Sequence, residues 1–158
     1  MIVKIEKAID ISKKLRKEGR VVVLAGGCFD ILHSGHTRFL KESKKQGNKL
    51  FVLLENDVNV AKLKGANRPI NTQKERAEVL SDLRSVDYVV LLPVMEIDND
   101  YDKLLLAIRP EVITTTENDP DIEHKKRQAK MIKAKLVSVI GRIEDRSTSR
   151  INDIISKK

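Results

Sequence analysis

The chain has 158 residues, a length that fits one domain able to bury about 70% of its unfolded surface and leaves two domains cramped. It is 41% hydrophobic and 34% charged, carries a net charge of +8 and is only 3% aromatic with no Trp, so it suits an anionic partner but offers few stacking platforms for single-stranded nucleic acid. The lone Cys28 excludes an internal disulfide, and no run is apolar enough for a signal peptide or a membrane span, which points to a cytoplasmic protein.

Taken in order, Ile5, Ala8, Ile9 and Leu15 recur near a 3.6-residue period and predict an amphipathic helix over about 4–18, closed by Gly19. Residues 1–19 thus read as a helical extension of a single domain spanning 1–158. RVVVLA (20–25) comes next as a β-branched strand of the kind buried on both faces of a parallel sheet. A glycine-rich turn leads into a helix from Gly35 to Gly47 with Phe39, Leu40 and Ser43 inward, and KLFVLL (49–54) is a second buried strand. Residues 55–69 are polar and read as a loop holding at most a short helical piece, with Lys62, Lys64 and Arg68 in it. Thr72 and Glu75 form a capping-box pattern that opens a helix to about Leu83. DYVVLL (87–92) is a third strand, DKLLLAIR a helix ended before Pro110, and EVITT (111–115) a fourth strand. A strongly basic helix over 122–133, a fifth strand at 136–140 and a last helix capped by Ser147, with Ile151, Ile154 and Ile155 on one side, complete the chain. Strands and helices alternate without repeats, so the expectation is an α/β fold: one Rossmann-like three-layer domain with a five-stranded parallel sheet. Ligands of such sheets sit beyond the carboxyl ends of the strands where the strand order reverses.

The first strand leaves at that end through LAGGCFDILHSGH (24–36). Gly26 and Gly27 let the backbone approach a ligand, and the amides after them, with the start of the next helix, favour a phosphate. His33 and His36, three apart with Gly35 between, fall on one helical face, where two imidazole donors could neutralise charge on a reacting phosphate. Two histidines are too few for a closed zinc site, and the pattern assigns the protein no metal ligands. A magnesium ion brought in by nucleotide phosphates is the expected cofactor. Asp30 either bonds the turn itself or orients a metal or a histidine, and Cys28 is expected to offer its amide more than its thiol.

GCFDILHSGH resembles the His-x-Gly-His motif of the cytidylyltransferase-like nucleotidyltransferase superfamily. These enzymes bind a nucleoside triphosphate and let a phosphate oxygen of the second substrate attack the α-phosphorus, releasing pyrophosphate. The resemblance implies that His33 and His36 are catalytic and that Gly27, Cys28, Phe29, Asp30 and Gly35 line the nucleotide. RIEDRSTS (142–149) resembles the family's RTEGISTT in register, with Asp145 in place of glycine, and implies nucleotide contacts from Arg142, Ser147, Thr148 and Ser149; a plain Ser147 helix cap is the other reading.

A further likeness, in the helical extension, LKGANRPINTQKERAEVLSDLRSVDYVV (63–90) and IRPEVITT, covers about nine-tenths of the chain. It resembles the adenylyltransferases that act on a heptose 1-phosphate in making ADP-activated heptose. This implies a catalytic Lys64 at the phosphates, with Lys62 and Arg76 toward the substrate, and implies a homodimer. One departure stands out: where those enzymes read KGGD, this chain reads TTEN (115–118) at the end of the fourth strand, making Asn118 the residue expected to meet the nucleotide. The leading expectation is adenylylation of a sugar phosphate. CTP with glycerol phosphate or another polyol phosphate is the alternative, supported by RIEDRSTS. An RNA-binding module without nucleotide turnover, drawn from EHKKRQAKMIKAK, is the alternative of another class, although nucleic acid is not the expected partner.

Overall fold

The computed structural model describes residues 1–141. Among them the elements run β1 (Ile2–Val3), α1 (Ile5–Lys17), β2 (Val22–Gly27), α2 (Ser34–Lys44), β3 (Lys49–Leu54), α3 (Asp57–Lys64), α4 (Gln73–Ser81), β4 (Tyr88–Leu91), α5 (Asp98–Ile108), β5 (Val112–Thr116), α6 (Ile122–Ile132) and β6 (Lys135–Ile140). The strands form one sheet in the order β1-β4-β3-β2-β5-β6, with every neighbouring pair parallel.

The sheet has six strands where the sequence predicts five. The sixth is β1, a two-residue edge strand paired with β4 through Ile2 opposite Val89 and Val3 opposite Val90. Two residues carry no periodicity, so only the tertiary pairing reveals this strand. β2 extends two residues beyond its expected end, since Gly26 and Gly27 continue the ladder opposite Leu53 and Leu54 of β3. α3 occupies much of the stretch that reads as a loop. The pattern hides it because its inward face is partly polar, Asn59 beside Val60, and it begins with Asn56, whose side chain accepts from the Asn59 amide at 3.0 Å.

Alternation along the strands makes the three layers. Val22, Leu24, Phe51, Leu53 and Val90 turn toward Ala8 and Leu15 of α1, Leu105 and Ile108 of α5, and Ala129 and Ile132 of α6. Val23, Ala25, Leu50, Val52 and Val89 turn the other way, onto Phe39 and Leu40 of α2 and Ala77 and Leu80 of α4. The close packing shows at Gly47, where a Cβ would lie 2.6 Å from Val21 Cγ1 and 2.7 Å from Val23 Cγ2. Strand order reverses between β2 and β5, so the turn after β2 opens at the switch point.

Candidate active site

Cys28 to His33 carry the chain from β2 to α2. Phe29 takes a left-handed φ of 46°, and its ring lies 3.0 Å from where a Gly27 Cβ would stand, so a side chain at Gly27 would have to displace the ring by a few tenths of an ångström. The same ring meets His36 edge-on at 5.2 Å. Phe29 is 5% exposed and therefore acts as a buttress for His36 rather than as an open surface for a base.

His33 is the N-cap of α2, and its Nδ1 accepts from the Gly35 amide at 3.1 Å. An accepting Nδ1 puts the neutral ring's proton on Nε2, the tautomer that can donate to an incoming anion. His36 stacks on His33 with ring centroids 3.9 Å apart. Burial, and then repulsion from His33, push the His36 pKa down to about 4, against a smaller upward influence from the Ile31 backbone. Its Nδ1 is enclosed without a well-formed hydrogen bond. The pair is thus a close-set, stacked couple at the mouth of a helix.

Through its carboxylate, Asp30 bonds well past its own turn. It is 4% exposed and extends across to the segment after α3, accepting from Arg68 Nε, from the Ile70 amide at 2.8 Å and from the Asn71 amide at 3.1 Å. Burial pushes its carboxyl up, but those two amides and the Arg68 guanidinium outweigh it and hold the group below the usual carboxylate range. It fastens the turn to the loop beyond Lys64.

Arg76, expected beside the substrate, has a side chain that is 0% exposed. Its guanidinium donates to the carbonyls of Asn71 (3.0 Å), Cys28 and Glu55 (2.8 Å) and to Asp57 Oδ1 (2.7 Å). With these acceptors in place it holds the ends of β2, β3 and α3 together and stands inside the wall of the site. Lys64 closes α3 and is exposed, and its charge is felt at Cys28, where it opposes the upward push of burial on the thiol. The thiol is still raised and stays protonated, so it is no nucleophile at neutral pH. Lys62, two residues earlier on the same helix, is exposed. Asn118 is exposed in the turn after β5 with φ 56°. Below it, Thr115 Oγ1 and Lys125 Nζ both donate to Asp119 Oδ2, each at 2.5 Å, in the stretch that departs from KGGD. Arg142, Ser147, Thr148 and Ser149, with the stretch expected to form a last helix, lie outside the described residues.

Three residues that sequence reasoning missed, Glu55, Asn59 and Tyr101, cluster on the β3 side of the turn. Glu55, directly after β3, accepts from Tyr101 Oη at 3.0 and 3.1 Å and from Asn59 Nδ2 at 3.5 Å. Burial raises its pKa against these bonds and the nearby Arg76. Tyr101 is pushed well above an ordinary phenol by burial and by Glu55. A carboxylate placed immediately after the apolar run LFVLL at the ligand end of the sheet is the signal that could have found them.

A cytidylyltransferase-like family model matches residues 24–154. The bifunctional protein HldE of Wolinella succinogenes is 43% identical over 141 residues, which are 89% of this chain and 28% of that protein. The bifunctional protein HldE of Nitratiruptor sp. is 40% identical over 141 residues, 89% of this chain and 29% of its own length. The chain thus spans less than a third of these relatives. Among solved structures, the lipopolysaccharide core biosynthesis protein from Thermoplasma volcanium is 30% identical with a TM-score of 0.61, over 82% of this chain and 100% of that one. A pantoate-beta-alanine ligase from Francisella tularensis, 18% identical, has a TM-score of 0.69 over 96% of this chain and 72% of its own; that likeness bears on the fold alone.

Proposed function

This chain belongs to the cytidylyltransferase-like family of nucleotidyltransferases, and on that premise we propose that it transfers AMP from ATP to the phosphate of a sugar phosphate such as heptose 1-phosphate, releasing pyrophosphate. The observation that carries the reading is the His33–His36 couple, stacked at 3.9 Å at the N-terminus of α2 beside a glycine-walled turn. An acceptor phosphate oxygen attacks the α-phosphorus as the bond to pyrophosphate breaks. The work left to the protein is to hold both partners in line and to meet the charge that shifts onto the phosphate oxygens. His33 offers an Nε2 proton fixed by the Gly35 amide, the helix dipole adds to it, and Lys64, the last residue of α3, is the cation assigned to the same charge. With the Cys28 thiol protonated, direct transfer is the economical course.

Magnesium enters as part of the nucleotide substrate. Within the turn the Asp30 carboxylate is taken up by Arg68, Ile70 and Asn71. Sugar-phosphate acceptors are supported by the HldE relatives and by the lipopolysaccharide core biosynthesis protein of similar structure.

CTP with a polyol phosphate is kept as a second reading because Thr115 and Asp119, bound to each other and to Lys125, occupy the strand end where the nucleotide would be read. Pyrophosphate release measured with each of the four NTPs, using heptose 1-phosphate and sn-glycerol 3-phosphate in turn, decides between them. ATP with the heptose is expected to turn over fastest, and His36→Ala to slow it about 100- to 1000-fold while leaving the circular dichroism spectrum unchanged. Turnover with CTP alone overturns the first reading; near-wild-type rates in His36→Ala overturn the mechanism.

A further inference from the structure

We propose that Glu55, Asn59 and Tyr101 form the subsite that reads the hydroxyl groups of the acceptor, which selects a neutral, polyhydroxylated phosphate ester over one with an anionic body. The inference rests on the nucleotidyl-transfer reading and names the class of its second substrate.

The cluster stands at the right place. Glu55 leaves β3 at the end where the histidine turn leaves β2, and its amide donates to the Gly27 carbonyl at 3.2 Å. Arg76 donates to the backbone carbonyls of both Cys28 and Glu55, and the Glu55 carboxylate accepts from Tyr101 and Asn59, so the cluster occupies a spot beside the histidine turn. This spot lies on the β3 side of the switch point, opposite the β5 side where Asn118 and the Thr115–Asp119–Lys125 network stand.

Its chemistry is one of unused acceptors. The Glu55 carboxylate receives one phenolic hydrogen, shared between its two oxygens, and a long contact from Asn59, while Arg76 turns its hydrogen to the Glu55 backbone carbonyl instead. Among the described residues no ion pair includes it. Asn59 is 5% exposed, and its amide nitrogen is fixed by the Met95 carbonyl at 3.0 Å and by Tyr101 Oη at 3.2 Å. That leaves Oδ1 of Asn59 buried with no donor. A buried acceptor without a donor is rare and needs a reason. Hydroxyl groups supply donors, whereas a second phosphate or a carboxylate would be repelled by Glu55. The acceptor is therefore oriented with its phosphate toward Lys64 and the histidines and its hydroxyl-bearing body toward Glu55.

The test uses the full chain with Glu55→Gln and Tyr101→Phe. Initial rates are taken with heptose 1-phosphate, sn-glycerol 3-phosphate and 3-phosphoglycerate, the last carrying a carboxylate. Each variant is expected to raise the acceptor KM at least tenfold and to leave the NTP KM within about twofold, and Glu55→Gln to narrow the preference for glycerol phosphate over phosphoglycerate. Equal changes in both KM values, or no change in either, overturn the assignment. Calorimetric binding of the three esters without nucleotide reads the subsite even if no NTP turns over. A tenfold loss in Tyr101→Phe and Glu55→Gln supports it, and unaltered or absent binding overturns it. Failure of all turnover with intact ester binding would strike the nucleotidyl-transfer reading instead.

Discussion

A histidine ring enclosed by Phe29 on one side and His33 on the other loses its water and gains no acidic partner, and both losses oppose a proton. With its pKa near 4 against an ordinary 6.5, the folded ring refuses a proton that the unfolded ring accepts, so the contribution of His36 to stability is whole above about 6.5 and drains away as pH falls toward 4. The expected NMR titration of His36 in the unliganded protein has its midpoint near 4, and MgATP shifts it upward because the triphosphate favours the charged ring. A midpoint near 6.5 would mean that the ring is open to solvent. At this scale the sequence was legible where spacing dictates geometry, as at His33 and His36. It was not legible at Asp30 and Arg76, since a charged side chain's partner forty or more positions away leaves no trace in local pattern.

Elements around the site are joined by few but costly side-chain bonds. Arg76 lies on α4, yet its four donors tie together the ends of β2 and β3, the start of α3 and the loop before α4. Lysine can supply one ammonium but not a planar fork, so Arg76→Lys leaves buried carbonyls without donors. A loss of about 2–4 kcal/mol in denaturant unfolding is expected, together with a raised KM for both substrates. A stability change under about 0.5 kcal/mol would show that the wall is held by other contacts. The helices and strands that carry long apolar runs were readable; α3 was legible only as a short helical piece in a polar stretch, since it buries an asparagine where the pattern seeks an apolar residue, and β1, defined by its pairing alone, was not legible.

For the molecule as a whole, the net charge of +8 overstates what the basic helix presents. On α6, Lys125 pairs with Asp119, Lys126 with Glu123 at 2.7 Å, and Arg127 with Asp102 at 2.6 Å, so the cluster of three adjacent cations in the stretch that suggested RNA binding is answered by acids of its own chain. The net positive charge sets up a long-range field that favours small anions. The NTP KM is therefore expected to rise about three- to tenfold between roughly 50 and 500 mM NaCl with kcat little altered. A flat profile would leave that field without a role.

If the acceptor is read beyond β3 and the nucleotide beyond β5, as proposed above, the reversal of strand order between β2 and β5 divides responsibility for the two substrates. The residues beyond the end of β3, with α3 and α5, shape one flank, and those beyond the end of β5, with α6, shape the other; the histidine turn is their common border. Changes confined to one flank need not disturb the other. A lineage could exchange its nucleotide by altering the stretch from Thr115 to Asp119 and retain its acceptor, or alter Glu55 and Tyr101 and retain its nucleotide, with the reacting centre inherited intact.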